Sequence, residues 1–456
     1  MLLHVMIVFL LILTMISYNL SNKDYLSAPV ILSATFLLAA LICEPYTYKW
    51  YFDMSLTTFL VVMLGIVSFI SFYYITLRKK RGSSEAVKLS VPIYSVFSIT
   101  WKGTILFTAF QIFVMFLCLQ YINEIAAAFN MTDSLSQKII AYRLSVVAND
   151  GNLDIPPIPK LMAYSRKFAY IGSLFFVYRM AVIRAVSKKW DKKSIIIVIC
   201  TIALSLLEGS RGAVLLHIVF PFLIVFYVYR MRMHTWKIHL TVRKLVIFFV
   251  VALVGMVVFY SSLIIVGRGD DIGLESIGEL ISASFEQLAI YLGAELKLLD
   301  IYLTQEYYPG TSMFFGEHTF SGFYDWLYLK LGIVTINNDF GFRTVNGIFL
   351  GNVYTMFRTY YADAGFFGVI LFSGTMGACF GYMYYKIRYI RFPYNKKAID
   401  IWLLMYAYIY YSVALAFFSN WFYKEVVSIT LLQGIISYFL FKYFFIKGTE
   451  SLEEKK

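Results

Sequence analysis

Runs of about twenty apolar residues, the length a helix needs to cross the hydrocarbon core of a bilayer, take up most of this chain. They fall at 2–20, 27–44, 54–77, 103–122, 165–187, 194–208, 212–229, 245–266, 364–385, 401–420 and 425–446. In lipid every backbone N–H and C=O must be paired within the protein, which helices do inside one segment. The expectation is an all-α polytopic membrane protein with about eleven transmembrane helices, 1–456 forming a single transmembrane domain. Composition agrees, at 60% hydrophobic and only 15% charged residues, well outside the range of a soluble globule. The runs 194–208 and 212–229 are short and nearly continuous. The turn-forming Glu208-Gly-Ser-Arg211-Gly212 between them favours two helices over one long tilted one.

A net charge of +13 would suit nucleic acid, but the basic residues sit in short loops between apolar runs, so no nucleic-acid partner is expected. Arg78–Arg81, Lys188–Lys193, Arg230–Lys244, Lys386–Lys397 and Lys447–Lys456 all fall on one side if every run crosses. That side is cytoplasmic by the positive-inside bias, with the amino terminus outside and the carboxyl terminus inside. Cys43, Cys118, Cys200 and Cys379 lie in or beside apolar runs, without disulfide or metal-site spacing. Residues 1–20 lack a basic leader and a small-residue cleavage site, so they read as the first helix. Arg179 and Arg184 near the end of their run are expected to snorkel to cytoplasmic head groups.

Two segments then stand outside the membrane, 123–160 and the longer 267–363. No Walker loop or dinucleotide fingerprint occurs on the inner side, which argues against activated cytosolic nucleotides as substrates. Within the longer segment Ile277, Leu280, Ile281, Leu288, Tyr291, Leu292, Leu296 and Leu299 recur at helical spacing. Glu275, Glu279, Glu286 and Glu295 are mostly on other faces, so an amphipathic helix lying on or capping the bundle is predicted. The aromatic-rich stretch 314–334 is compatible with a short re-entrant element.

The stretch Arg343–Gly368 gathers arginine, asparagine, tyrosine and aspartate just before an apolar run, and charge at a membrane boundary must be paired, hydrated or ligand-bound. Four arginines face outward: Arg211, Arg268, Arg343 and Arg358. A guanidinium fork holds phosphate oxygens in pairs, so together they point to a polyanion. Singly, each is as well explained by a helix end paired with a lipid head group or with Glu208 or Asp270. His318 is the one histidine of an outer loop and a candidate proton acceptor, with Asp363 and Glu317 behind it if burial raises their pKa. The plain alternatives are an interfacial hydrogen bond for His318 and a structural pair with Arg358 for Asp363. Tyr354, Tyr360 and Tyr361 suit either stacking on sugar faces or an interfacial aromatic belt.

Ser210-Arg-Gly212, followed by Gly351-Asn352-Val-Tyr354-Thr-Met-Phe-Arg358 and Tyr361-Ala-Asp363-Ala-Gly-Phe-Phe-Gly368, resembles the bacterial oligosaccharide repeat-unit polymerases, the Wzy-type O-antigen and capsule polymerases. Asp363-Ala-Gly365 stands where that family usually has Asp-Phe-Gly. The resemblance implies a GT-C-like glycosyltransferase of the bacterial cytoplasmic membrane, acting on its outer face on undecaprenyl-diphosphate-linked oligosaccharides as donor and acceptor, with no cofactor or metal. It implies an inverting displacement. Arg211 and Arg358 would hold the donor diphosphate, Arg268 or Arg343 the acceptor, with Asn352, Tyr354 and Tyr361 in the substrate site. His318, then Asp363, then Glu317 would be the base. Membrane lipids are further partners, and a polysaccharide chain-length regulator stays open as one. An O-antigen ligase uses the same donor, and a lipid-linked oligosaccharide flippase is the non-enzyme alternative.

Overall fold

The structure is a computed structural model that describes residues 1–81, 94–147, 156–234, 236, 277–306, 314–331, 342–388 and 399–452. Seven helices among these residues are long and apolar enough to cross a membrane: Leu2–Leu20, Ala28–Tyr46, Leu56–Arg78, Trp101–Ala128, Lys160–Ser187, Gly212–Met233 and Phe357–Arg388. A helical, multi-pass membrane protein is thus supported, with seven full-length spans among the described residues. The run 245–266 lies outside the described residues. The run 194–208 forms a helix of 16 residues, Lys192–Leu207, about 24 Å at 1.5 Å per residue and short of a full crossing. The run 401–420 breaks into Ile401–Ile409 and Tyr411–Ala414, and the last run is divided between Trp421–Val426 and Ile429–Phe445. Asn420 stands between these two runs at the start of Trp421–Val426, its side chain accepting weakly from Tyr423 N at 3.4 Å.

The chain forms two compact units. The first comprises Met1–Lys88, Phe285–Arg391 and Ile409–Leu432. It contains α1 (Leu2–Leu20), α2 (Ala28–Cys43) and α3 (Leu56–Arg81). Most of α10 (Ile277–Ile301), then α11 (Ser321–Leu331), the ribbon β2 (Arg343–Val345) with β3 (Ile348–Gly351), and α12 (Phe357–Arg388) follow, with α14 (Tyr411–Ala414) and α15 (Trp421–Val426) at the end. Its backbone is the pairing of α12 with α3. A Cβ on Gly377 would lie 2.2 Å from Phe69 O, and one on Gly381 2.6 Å from Tyr73 O. Small residues four apart therefore let the two helices touch backbone to backbone, the usual basis of tight packing in lipid.

An all-α expectation needs correcting at two ribbons. β2 and β3 turn through Asn346 (φ 53°) and Gly347 (φ 76°), the Asn-Gly pair that a two-residue hairpin demands. The amphipathic-helix expectation also changes. α10 is present, but Ala289, Ala294, Leu296, Leu298 and Leu299 are buried together with Glu295, Lys297 and Asp300, so its second half is enclosed. Gly293 packs on α2, where a Cβ would lie 3.0 Å from Cys43 N. Asp300 accepts from Ser55 N (3.0 Å) and Thr58 Oγ1 (2.7 Å), capping the start of α3 from another helix.

The second unit comprises Leu89–Ser284, Phe392–Tyr408 and Gln433–Lys456. It holds β1 (Tyr94–Ser98), α4 (Trp101–Ala128), α5 (Leu135–Val147), α6 (Lys160–Ser187), α7 (Lys192–Leu207), α8 (Arg211–Val214) and α9 (Phe220–Met233). α13 (Ile401–Ile409, nearly all in this unit), α16 (Ile429–Phe445) and β4 (Gly448–Leu452) complete it. α7 and α8 are separate helices joined by the 208–210 turn, as that turn's chemistry predicts. Arg179 does not snorkel. It is 3% exposed and its guanidinium donates to Asp191 Oδ2 and Glu450 Oε2, both at 2.8 Å, and to Phe97 O. Because Glu450 lies on β4, which pairs antiparallel with β1, this arginine ties the carboxyl-terminal strand to the helices. Arg184 lies over Trp190, 4.8 Å from its centroid.

Candidate functional site

The first unit collects most of the residues singled out above around a break in α12. Ala364 (φ −154°, ψ 28°) and Gly365 (φ 57°, ψ −143°) leave helical geometry, and only glycine adopts the second conformation without strain. The helix thus consists of a short piece carrying Arg358 and Asp363 and a long apolar piece from Phe366. Its two pieces meet closely: a Cβ on Gly368 would lie 2.1 Å from Tyr360 O.

Arg358 is 3% exposed, its guanidinium carbon 4.0 Å from the Tyr354 ring centroid and 4.5 Å from that of Tyr302. Tyr302 begins the π-helical turn Tyr302–Glu306 that ends α10. Two aromatic faces on one desolvated cation contribute about 2 kcal/mol or more, and they fix the plane of the guanidinium. Tyr354 accordingly packs on an arginine, whereas the sequence offered sugar stacking or an aromatic belt for it.

Asp363 faces the loop 316–320. Its Oδ1 accepts from His318 N (3.0 Å) and its Oδ2 from Thr319 N (2.7 Å), so the carboxylate fixes the backbone of the histidine predicted to act beside it. Glu317, 1% exposed, accepts from Tyr328 OH and from Phe314 N (3.3 Å). That ties the loop to α11, and burial together with the Glu317 carboxylate raises the Tyr328 phenol above its ordinary pKa. Asn420, buried, joins the three segments: Nδ2 donates to Thr319 O (3.0 Å) and Thr359 Oγ1 (3.1 Å), while Oδ1 accepts from Tyr360 OH (3.3 Å). The result is a histidine loop held from α12, α11 and α15 at once.

Other predicted residues lie nearby in sequence but play different parts. Arg343 is half-buried in β2, opposite Gly351, and Asn352 is half-buried just after β3. Tyr361 is half-buried and stands edge-on to Phe366, 5.3 Å between centroids. Arg211 belongs to the other unit, as the first residue of α8 behind the Ser210 cap, whose side chain accepts from Ala213 N. Arg268 lies outside the described residues. Glu208, the suggested partner of Arg211, meets Tyr170 OH at 3.0 Å, Cys118 Sγ at 3.6 Å and Arg166 Nε at 3.8 Å.

Sequence reasoning missed Asn420, Tyr302 and Thr319. Asn420 had a signal, a Ser-Asn pair interrupting an apolar run. Tyr302 had none, because its role comes from where α10 ends in space. Among the described residues no group of three or more His, Cys, Asp or Glu side chains is placed to hold a metal ion. Compared with known proteins, the chain matches no family model, no curated protein and no solved structure.

Proposed function

We propose that this protein is a membrane glycosyltransferase that polymerises undecaprenyl-diphosphate-linked oligosaccharide repeat units into O-antigen or capsular polysaccharide on the outer face of the bacterial cytoplasmic membrane. The observation that carries the reading is the broken helix α12, which sets a buried, aromatic-held Arg358 and the His318-orienting Asp363 on one short helical piece beside an apolar span. Such an arrangement suits a substrate with a lipid tail, a charged diphosphate and a sugar. The motif resemblance through Asn352, Tyr354, Arg358, Tyr361 and Asp363 supports the same class.

In this reading the acceptor hydroxyl attacks the anomeric carbon of the donor as the bond to the diphosphate oxygen breaks. Arg358 stabilises the charge that develops on the departing diphosphate, which needs no proton to leave. The hydroxyl proton passes to His318. Asp363 and Glu317 are less suited to take it, since their carboxylates already accept from His318 N and Thr319 N, and from Tyr328 and Phe314 N. Asp363 is then a positioning residue. Arg343 would hold the acceptor.

The test uses purified protein in nanodiscs with lipid-linked repeat units isolated from cells lacking this chain, and no nucleotide sugar. Wild type is expected to give a ladder of oligomers, and Arg358→Ala to lose it while keeping its elution profile. Wild-type protein that binds the lipid-linked unit but forms no ladder would refute the polymerase reading. Transfer seen only on adding lipid A core would identify a ligase.

A further inference from the structure

Beside the polar cluster, α11 and the residues before it present aromatic rings outward. Phe314 and Phe315 are 54% and 57% exposed, and Phe323 and Trp326 are each 37% exposed. These rings are held in place. Phe314 stacks on Tyr324 at 6.2 Å and 7°, Tyr324 OH donates to Phe315 O at 3.0 Å, and Phe323 lies 6.2 Å from Trp326. The edge of α11 beside these rings packs on α15, where a Cβ at Gly322 would lie 3.1 Å from Lys424 O.

The patch continues onto α12. Phe315 packs on Phe372 of α12, with ring centroids 5.7 Å apart, and Phe366 and Phe367, at the start of the long piece of α12, are 38% and 65% exposed. α12 is one of the helices long and apolar enough to span a bilayer, so its exposed phenylalanines face acyl chains. α11 itself is only 11 residues long, about 16 Å, and carries exposed Asp325 and Lys330. It is too short and too charged to cross, yet it leaves Phe323 and Trp326 exposed and follows Phe315, which packs on a span. That combination fits the head-group region, where aromatic rings and charged tips are both accommodated.

We infer that α11, together with Phe314 and Phe315, is an interfacial shelf seated in the head-group and outer acyl layer of the bilayer, continuous with the lipid-facing side of α12. Its occupant is membrane lipid. The inference stands independently of the glycosyltransferase reading. It places His318 and Asp363, which the Glu317–Tyr328 contact ties to α11, at the depth of lipid head groups, so that ligands reach them along the membrane plane.

The experiment replaces Cys43, Cys118, Cys200 and Cys379 by alanine in the full chain and labels single cysteines at Phe314→Cys, Phe323→Cys and Trp326→Cys with bimane, in nanodiscs of phosphatidylcholine and phosphatidylglycerol. Phe367→Cys serves as the acyl-facing reference, and native elution on size exclusion checks folding of each variant. Lipids carrying a doxyl group near the head group should quench all three labels at least two-fold more than aqueous iodide does, within two-fold of the Phe367 reference. Full quenching by iodide with none by doxyl lipid would overturn the shelf. Protection from both quenchers would overturn it equally, since protein and not lipid would then cover these rings.

Discussion

Replacing Asn420 by leucine should separate the three segments that meet at the histidine loop. The side chain is 7% exposed and makes two well-formed donor bonds, to Thr319 O at 3.0 Å and Thr359 Oγ1 at 3.1 Å. Its two accepted bonds, from Tyr360 OH at 3.3 Å and Tyr423 N at 3.4 Å, are near the outer limit and count for little. Leucine has similar bulk, so the cost is polar. The carbonyl of Thr319, a residue with no exposed surface, is left without this donor, at about 1–3 kcal/mol, and the lost Thr359 bond adds about 1 kcal/mol. The total is about 2–4 kcal/mol. For a cooperative unit of roughly 200 residues that lowers Tm by on the order of 5–10 °C. The assay is thermal unfolding in detergent followed by intrinsic fluorescence. Thr359→Val, which removes only one of the contacts, should lose about 1 kcal/mol, and the double variant should fall short of additivity by a similar amount. An Asn420→Leu protein melting within about 1 °C of wild type would show that the three segments are not joined through this residue, and the account of how His318 is positioned would fail with it.

Three further outcomes follow from the same geometry. Gly365→Ala should destabilise by about 1–3 kcal/mol through backbone strain alone, because no atom lies within 4 Å of the added Cβ; a melting curve unchanged from wild type would mean that α12 is not broken there. Asp191→Ala, which removes a buried partner of Arg179, should cost about 3–5 kcal/mol. Glu450→Ala, whose carboxylate is half exposed, should cost less than about 1 kcal/mol, and equal losses in paired melting curves would contradict the assignment of Asp191 as the principal partner. Glu295, buried with an Oε2 that accepts no hydrogen bond, has its carboxyl held well above the ordinary range by burial. The folded protein then keeps a proton that the unfolded chain loses, so this residue's contribution is fully present below the unfolded pKa, about 4.3, and declines by about 1.4 kcal/mol per pH unit above it until the raised pKa is reached. Glu295→Gln should therefore gain Tm over wild type between pH 5 and pH 8 and match it near pH 4, and a gap that does not widen with pH would remove the argument.

Much of the candidate site is legible in the amino-acid sequence, because its residues are chemically conspicuous: Arg358, Asp363, His318 and Glu317 are polar groups in an apolar chain. Their division of labour is not. Whether a carboxylate is a base or a brace depends on which N–H groups reach it, and those of His318 and Thr319 come from 45 and 44 residues away. The hairpin at Asn346-Gly347 has a plain local signal in that dipeptide, one masked by the candidate ligands on either side of it.

By itself the sequence determined a helical chain for a bilayer, because apolar length and the need to pair every backbone group leave helices as the simplest solution for each run. It also determined where charge gathers, at the ends of those runs. Only the tertiary structure decided which runs become full spans, that the second half of α10 is enclosed with Glu295 and Asp300 inside, and that Arg179 turns inward to meet a strand some 270 residues further on. Hydropathy is a property of one segment, whereas burial and pairing are properties of the neighbours a segment acquires. That is why Arg179, whose position in its run suggested snorkelling to the lipid surface, is instead tied to Asp191 and Glu450 inside the second unit.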